Sequence, residues 1–205
     1  MIKINETILF VTSCFTTYIH AINNKNIIKS VEQIQKTSPS ALRSNAGGYQ
    51  SPTISSLAFD NEETKNLFQD YIIPVAKMIQ PKWNIPCNME QLNYWYNINP
   101  KYTYNREHTH LNSFLSGVYY IKVPENSGNI FFLRSQTEID RMLFLNSKLE
   151  EQGNFYSNNR TNVEHWFVPQ EGLLILFPGH LNHYVDQNLT NDIDDRRISL
   201  SFNFY

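Results

Sequence analysis

The sequence contains little cysteine and little charge. Its 205 residues include two cysteines, Cys14 and Cys87, which are too few for a disulfide framework. We therefore interpret both as buried thiols. Charged residues make up 18% of the chain and the formal net charge is −2. Because a protein that binds nucleic acid through phosphates normally carries a basic face, we expect no nucleic-acid partner.

Long hydrophobic runs are also missing. No stretch approaches the roughly 18 apolar residues of a membrane-spanning helix, so we expect no membrane partner. The apolar run at residues 8–11 is short, and Glu6 opposes the charge of Lys3 in front of it. A secretory signal would need a basic start, a longer apolar run and a small-residue cleavage site. We predict a strand at residues 8–11 and a cytoplasmic protein.

Aromatic side chains are plentiful, with 13 Phe and 12 Tyr. A chain of this length and apolar content can form one sizeable core and is not disordered. Neither an internal repeat nor a linker divides it. We predict a single domain over residues 1–205.

The first part of the chain mixes strands with two helices. Apolar residues at helical spacing predict a helix at residues 25–36. A second helix is expected at residues 62–80, with Asp60 or Asn61 as its N-cap and Pro74 as the position of a kink.

After residue 89 the apolar residues follow a period of two, which is typical of strands. The predicted strands lie at residues 92–98, 114–123, 129–133, 173–177 and 197–204. Short strands with turns and no helices between them favour an antiparallel sandwich or barrel. The two helices would pack outside one sheet. We interpret residues 135–161 as a long insertion with a short helix at 140–149 that could act as a lid.

Two histidines suggest a metal site. His108 and His110 stand two residues apart, so on an extended strand both imidazoles point to one face. Two neutral imidazoles can hold a divalent transition metal. The pair alone is weak evidence, but His183 follows a hydrophobic strand and a Pro-Gly turn further along the chain.

The final predicted strand has an unusual polar face. Arg197, Ser199, Ser201 and Asn203 alternate with apolar residues and therefore share one side of the strand. A strand that is polar on one side and apolar on the other makes sense if the polar side lines a ligand-holding interior. Arg197 could bind a carboxylate there through two hydrogen bonds, with a serine hydroxyl assisting.

Six segments, taken in their order and spacing, resemble one known family. They are residues 44–51 (SNAGGYQS), 95–100 (WYNINP), 108–120 (HTHLNSFLSGVYY), 123–128 (VPENSG), 177–183 (FPGHLNH) and 197–203 (RISLSFN). The chain resembles the non-haem iron, 2-oxoglutarate-dependent oxygenases, most of all a small prolyl-hydroxylase-like group common in marine bacteria and their phages. The resemblance covers most of the chain from residue 44 onward.

This resemblance implies a mainly β fold with flanking helices, a double-stranded β-helix or jelly roll of the cupin kind. Residues 89–205 would form the jelly-roll core, and residues 1–88 the N-terminal strands and helical buttress. Fe(II) would be the cofactor, with 2-oxoglutarate and dioxygen as cosubstrates. His108 and His183 would be metal ligands, and Arg197 would pair with the far carboxylate of 2-oxoglutarate, assisted by Ser199.

The sequence departs from the family motif at one ligand. The motif is His-x-Asp/Glu, and here His110 stands in the carboxylate place. His110 could be a true ligand, which gives the set His108, His110 and His183. Alternatively, His110 could be the first ligand with Asn112 in the carboxylate place, or that place could hold water or an anion. We prefer the first interpretation. Glu107 could orient an imidazole without itself binding the metal.

Other aromatic and amide side chains are candidates for the pocket wall. Tyr119 and Asn97 are predicted to contact the cosubstrate, and Tyr120 and Trp95 to line the pocket. We expect His180 to lie at the surface or the pocket rim rather than on the metal.

The sequence therefore predicts an iron- and 2-oxoglutarate-dependent dioxygenase that hydroxylates a protein or peptide residue, or a small molecule. One alternative is a three-histidine dioxygenase of the cupin type that needs no 2-oxoglutarate. The other is a non-catalytic jelly-roll binding module. A role for Arg197 distinguishes the 2-oxoglutarate-dependent enzyme from the cupin-type dioxygenase. Metal binding distinguishes both enzymes from the non-catalytic module.

Overall fold

The computed structural model describes residues 12–55, 58–84, 88–89, 91–135 and 162–205. The predicted strand at 8–11, the helix at 140–149 and nearly all of the insertion at 135–161 lie outside the described residues, as does Cys87. Cys14 is a partly buried free thiol, and burial raises its pKa to about 12.

The twelve strands of the described ranges carry the labels β1 to β12 in chain order. They are β1 Phe15–Tyr18, β2 Asn45–Ala46, β3 Tyr49–Gln50, β4 Ile54–Ser55, β5 Leu92–Pro100, β6 Tyr104–His108, β7 Leu115–Lys122, β8 Ile130–Leu133, β9 Glu164–Phe167, β10 Leu173–Pro178, β11 His183–Val185 and β12 Arg196–Phe204. The strands predicted after residue 89 all lie within or overlap these elements.

The helical part consists of α1 at Asn24–Thr37 and a second, longer helical stretch. That stretch runs through α2 at Glu62–Asn66, a π-helical segment at Leu67–Ile72, and α3 at Ile73–Trp83. The π-helical turns come directly before Pro74, which has no N–H to donate to the preceding turn. No helix in the described ranges is both long enough and apolar enough to cross a membrane.

Two antiparallel sheets face each other. The larger sheet has the order β1-β10-β7-β12-β5-β3, with β4 also paired to β5. The smaller sheet has the order β2-β6-β11-β8-β9. Strands that are neighbours in the chain often lie in different sheets, as β5 and β6 do, so the chain wraps around a common interior. This is the predicted jelly-roll fold, and it is confirmed.

Strand alternation sets what each face of the larger sheet contacts. Tyr94 and Tyr96 of β5 and Leu200 and Phe202 of β12 face the helices and pack in one core with residues of α1 and of the longer helical stretch. A second, smaller apolar cluster lies between the sheets and includes Phe132. The helices therefore cover one face of one sheet, as predicted, and leave the other face free to form an interior.

A partly buried carboxylate ties the helices to the sheet. Asp60 Oδ1 accepts hydrogen bonds from the Tyr94 hydroxyl at 2.7 Å and from the Tyr96 hydroxyl at 2.8 Å. Its Oδ2 accepts from Ser30 Oγ of α1 at 2.5 Å. Burial, together with the charge of Asp60, raises the pKa of both tyrosines. Asp60 is thus a junction, and Asn61 is the N-cap, accepting from the Thr64 N–H at 2.8 Å.

We expect Asp60→Ala to destabilise the fold by about 1–3 kcal/mol, the typical cost of a buried hydroxyl that loses its acceptor, as Tyr94 would. The Tyr96 hydroxyl would keep Thr64 Oγ1 at 2.7 Å. Urea denaturation followed by circular dichroism measures the change. Asp70→Ala, on the exposed side of the π-helical segment, is the matched control and should stay within about 0.5 kcal/mol of the parent. Equal stability of the two variants would contradict the role given to Asp60.

Candidate metal centre and anion site

Three imidazoles converge at one end of the interior between the sheets. His108 ends β6, His183 begins β11, and the two are direct partners in the register of those strands. His110 joins them from the turn that follows β6. One ring nitrogen from each histidine lies within 4.8 Å of the corresponding atoms of the others. This is the spacing that three ligands of one metal ion require.

A β-bulge aims His108 into the interior. His108 pairs with His183, and Asn105 pairs with Val185. Between these two pairs β6 has one residue more than β11. An extra residue on one strand shifts the alternation of its side chains. Asn105 and His108 consequently both line the interior, although their odd spacing would place them on opposite faces of a regular strand.

His110 reaches the cluster by a turn and not by strand alternation. Its backbone N–H donates to the Gly179 carbonyl at 2.7 Å, and its own carbonyl accepts from the Ser113 N–H at 3.0 Å. Gly179 fits there because a Cβ at this position would lie 2.2 Å from the Ser113 carbonyl oxygen. The structure therefore brings His108 and His110 together, but for a different reason than a shared strand face.

Backbone carbonyls fix the tautomer of two of the histidines. His108 Nδ1 donates to the Arg106 carbonyl at 2.7 Å, and His183 Nδ1 donates to the Leu181 carbonyl at 2.9 Å. Because a carbonyl oxygen only accepts, the proton of each neutral imidazole resides on Nδ1. The Nε2 lone pair of each ring is then available to a metal ion, which is how protein frameworks commonly orient ligating histidines.

Side chains perform the same task for His110. Its Nδ1 lies 2.6 Å from Asn203 Oδ1 and 3.0 Å from Ser116 Oγ. Ser116 Oγ donates to the same Asn203 oxygen at 2.8 Å, so that oxygen receives two donors. Ser113 lies beside Ser116 at 3.1 Å and donates to the carbonyls of Leu115 and Phe204. The amide of Asn203 thus holds His110 with its Nε2 lone pair free.

Burial keeps the cluster neutral. The pKa of His108 is lowered by desolvation, and that of His110 is lowered to about 4 by desolvation and by the proximity of His108. The pKa of His183 is lowered further, since His183 is the most buried of the three and both neighbours oppose its charge. Neutral imidazole is the form that binds metal, so the cluster is ready to coordinate at neutral pH.

A narrow cavity extends from the imidazoles between the sheets towards Arg197. Arg197 is 1% exposed. Its Nη1 donates to the carbonyls of Ser127 and Gly128, while its Nη2 has no hydrogen-bond partner among the described residues. The Tyr120 hydroxyl in the same cavity is also without a partner. Buried donors normally have acceptors, so these two unpaired donors mark a place for an anionic ligand group.

The other residues predicted for this pocket divide into two sets. Asn97 and Ser199 line the cavity, and Asn97 Nδ2 donates to Ser201 Oγ at 3.2 Å. Trp95 lines it as well, with its ring centroid 5.6 Å from that of His110. Tyr119 does not lie in the cavity. It faces the helices, where its hydroxyl donates to Asn24 Oδ1 at 3.0 Å, because adjacent residues of a strand point to opposite faces.

The alternatives to His110 lie further out. Asn112 and Glu107 are exposed, and Glu107 Oε1 accepts a hydrogen bond from Asn182 Nδ2. Glu107 therefore makes no hydrogen bond to an imidazole, contrary to the orienting role expected of it. His180 is exposed, as predicted.

Sequence reasoning missed the two residues that hold His110. The sequence pattern puts Asn203 on the polar face of the last strand without revealing its role, and it does not single out Ser116. Strand parity carries the signal, since β7 and β12 are neighbours and Ser116 is the direct partner of Asn203 in their register. That pairing depends on which strands are neighbours, which the sequence alone did not give.

The fold and the site define a jelly-roll protein with a metal-capable three-histidine cluster and two unpaired buried donors in one interior. A family model described as "Putative 2OG-Fe(II) oxygenase" matches residues 93–203, slightly more than half of the chain. The chain belongs to this family of 2-oxoglutarate- and Fe(II)-dependent oxygenases. Fe(II), 2-oxoglutarate and dioxygen are therefore its cofactor and cosubstrates, as predicted. None of the curated proteins matches the chain at a significant level.

Solved structures show the same fold at low sequence identity. A prolyl-4-hydroxylase from Pseudomonas putida has a TM-score of 0.62 at 12% identity, over 94% of this chain and 92% of its own. A Trichoplax adhaerens prolyl hydroxylase in complex with a peptide fragment has a TM-score of 0.62 at 12% identity, with 94% and 83% covered. HygX from Streptomyces hygroscopicus, with nickel and 2-oxoglutarate bound, has a TM-score of 0.58 at 12% identity, with 94% and 82% covered.

We expect His110→Ala to weaken Mn(II) binding by at least about 100-fold, as His108→Ala and His183→Ala should, because each removes one of three ligands. Isothermal titration calorimetry under anaerobic conditions measures the affinity. His180→Ala, which removes an exposed imidazole, should leave the affinity unchanged. Unaltered Mn(II) affinity in His110→Ala would instead favour water or an anion in the carboxylate place, with His108 and His183 as the protein ligands.

Asn203→Leu should weaken Mn(II) binding by about 10–100-fold, the range typical for loss of a residue that orients a metal ligand. Leucine has a similar volume but offers no acceptor to His110 Nδ1. Asn203→Asp keeps the acceptor oxygen and should bind Mn(II) more tightly than Asn203→Leu. The interpretation fails if the two variants have the same affinity.

Proposed function

We propose that the protein is a dioxygenase that binds Fe(II) through His108, His110 and His183 and uses 2-oxoglutarate to hydroxylate a protein or peptide substrate. The observation that carries the proposal is the unpaired Nη2 of Arg197, which lies in the same cavity as the three imidazoles. A site that needed a metal alone would have no use for a buried cation at its far end.

The cavity separates the two ends of a dicarboxylate. Arg197 Nη2 and the Tyr120 hydroxyl would bind the far carboxylate, with Ser199 beside them. The three imidazoles at the other end would hold the metal that the near end of 2-oxoglutarate chelates. When both are bound, they supply the oxidising chemistry, in which 2-oxoglutarate loses CO₂ to become succinate and one oxygen atom enters the substrate.

The surrounding residues hold this arrangement and keep water out. Val118, Ile130 and Phe177 line the cavity with apolar surface and belong to the cluster packed between the sheets. The Nη1 bonds of Arg197 to backbone carbonyls fix the direction of its free Nη2. In such a buried site an ion pair between guanidinium and carboxylate is stronger than at the surface, provided that the remaining hydrogen bonds are made.

Three imidazoles make the ligand set neutral, whereas two histidines and a carboxylate would contribute one negative charge. A neutral set leaves the full charge of the metal ion to attract an anionic cosubstrate. The exchange of a carboxylate for His110 is thus compatible with 2-oxoglutarate binding. It does not by itself favour the cupin-type reaction without 2-oxoglutarate, for which Arg197 would have no role.

Purified protein loaded with Fe(II) should form succinate from 2-oxoglutarate in air, and Arg197→Met should raise the KM for 2-oxoglutarate at least about tenfold, since a charged hydrogen bond is worth roughly 1.5–3 kcal/mol. Mass spectrometry with labelled 2-oxoglutarate measures the product. Arg196→Met is the matched control, because Arg196 pairs with Glu32 of α1 outside the cavity.

Arg197→Lys provides a second variant in case the methionine variant does not fold. It keeps the charge but loses the fork of donors, so its KM should lie between those of the parent and Arg197→Met. Succinate formation that does not depend on Fe(II), or an unchanged KM in both folded variants, would refute the proposal. Oxygen consumption without any need for 2-oxoglutarate would support the cupin-type alternative.

A further inference from the structure

An open groove adjoins the metal cluster on the side away from Arg197. It encloses about 1250 Å³, including its open mouth, and His108 and His110 lie in its wall. Its wall also contains Arg43, Gln50, Trp95, Arg106 and Glu107. Pockets for small molecules typically measure about 300–1,000 Å³ and enclose most of the ligand. The part of this groove that a ligand can fill measures about 590 Å³, which is within that range. The groove is open to solvent and does not enclose its ligand, which suits a segment of an extended chain.

Gln50 gives the groove an unused hydrogen-bond acceptor. The residue is 6% exposed, and its Oε1 has no partner. Its backbone is fixed, because its N–H donates to Ser40 Oγ at 3.0 Å and β3 pairs with β5 opposite Asn97. A buried amide oxygen without a donor is costly. A backbone N–H of a bound peptide is a donor of the right kind to satisfy it.

Two arginines give the groove a positive charge. The backbone N–H of Arg106 donates to the Ser44 carbonyl at 2.9 Å, which places Arg106 next to the segment that carries Arg43. Among the described residues, neither guanidinium forms an ion pair. Glu107, the acidic side chain of the same wall, is already hydrogen-bonded to Asn182. The two arginines are therefore free to pair with acidic groups of a ligand.

Trp95 connects the groove to the chemistry. Its side chain is half-buried, lines both the groove and the inner cavity, and lies 5.6 Å from the ring of His110. An apolar or cyclic side chain that packs on the indole would be held beside the metal ligands. The groove thus offers, side by side, an aromatic surface, a backbone acceptor and two cations.

We propose that this groove binds an acidic peptide segment, with its Asp or Glu side chains on Arg43 and Arg106, a backbone N–H on Gln50, and the residue to be hydroxylated on Trp95. This inference rests on the proposed function. In the reaction a substrate C–H bond is replaced by C–OH, dioxygen supplies that oxygen atom, and its second atom enters succinate as 2-oxoglutarate is oxidised and releases CO₂.

Two synthetic pools of random ten-residue peptides, one enriched in Asp and Glu and the other in Lys and Arg, provide the probes. With the Fe(II)-loaded full chain, the acidic pool should be hydroxylated at least about tenfold faster than the basic pool, which corresponds to roughly 1.4 kcal/mol. A gain of one oxygen atom, detected by mass spectrometry, measures the rate. Gln50→Leu should slow hydroxylation of the acidic pool.

Charge reversal provides the specific test. The double variant Arg43→Glu with Arg106→Glu should reverse the preference and favour the basic pool. The double variant Lys29→Glu with Lys36→Glu makes the same change in net charge on exposed positions of α1. It should retain the preference of the parent.

Equal rates for the two pools, or a preference that the arginine reversal leaves intact, would overturn the proposal. So would the absence of any peptide hydroxylation while succinate still forms without peptide. Fluorescence anisotropy of labelled pools with the Mn(II)-loaded protein tests binding alone. Tight binding of the acidic pool without any succinate formation would support the groove and refute the proposed function, so the two failures are distinguishable.

Discussion

The central strand β12 is the element on which both halves of the structure depend. It lies between β5 and β7 in the middle of the larger sheet. Leu200 and Phe202 on one face are fully buried against the helices. Arg197 and Asn203 on the other face reach the anion site and His110. Because the period of a strand is two, a register slip by one residue would turn Arg197 and Asn203 into the helical core and remove the site.

The interior of this protein achieves polarity with very little charge. In the described ranges Arg197 is the one fully buried charged side chain. Around it, neutral amides hold one another: Asn45 Nδ2 donates to Asn97 Oδ1 at 3.2 Å, and Asn99 Nδ2 donates to Asn45 Oδ1 at 3.1 Å. Amides satisfy buried donors and acceptors without the desolvation cost of ions. The low charge of the sequence is therefore visible in the way the cavity is built.

The sequence predicted the features that depend on local period and motif, and missed those that depend on neighbouring strands. Alternation predicted an antiparallel sandwich or barrel and the polar face of β12, and helical spacing predicted the helical cover. The jelly roll followed from the family resemblance. Tyr119 and Tyr120 were both predicted to lie in the pocket, and only Tyr120 does. Adjacent residues of a strand point to opposite faces, so the prediction for Tyr119 was wrong. The bulge before His108 and the pairing of Ser116 with Asn203 both depend on register, which composition and spacing do not reveal.

The site has two compartments with opposite physical requirements. The inner one is buried between the sheets, and its wall combines neutral polar groups with apolar side chains. Burial strengthens the attraction between Arg197 and an anion. The outer groove is open, so attraction by Arg43 and Arg106 is screened by water and salt and contributes more to selection than to affinity. His108 and His110 line both spaces. A cosubstrate held firmly within and a substrate selected from outside would therefore meet at the metal ligands, with Trp95 bordering both.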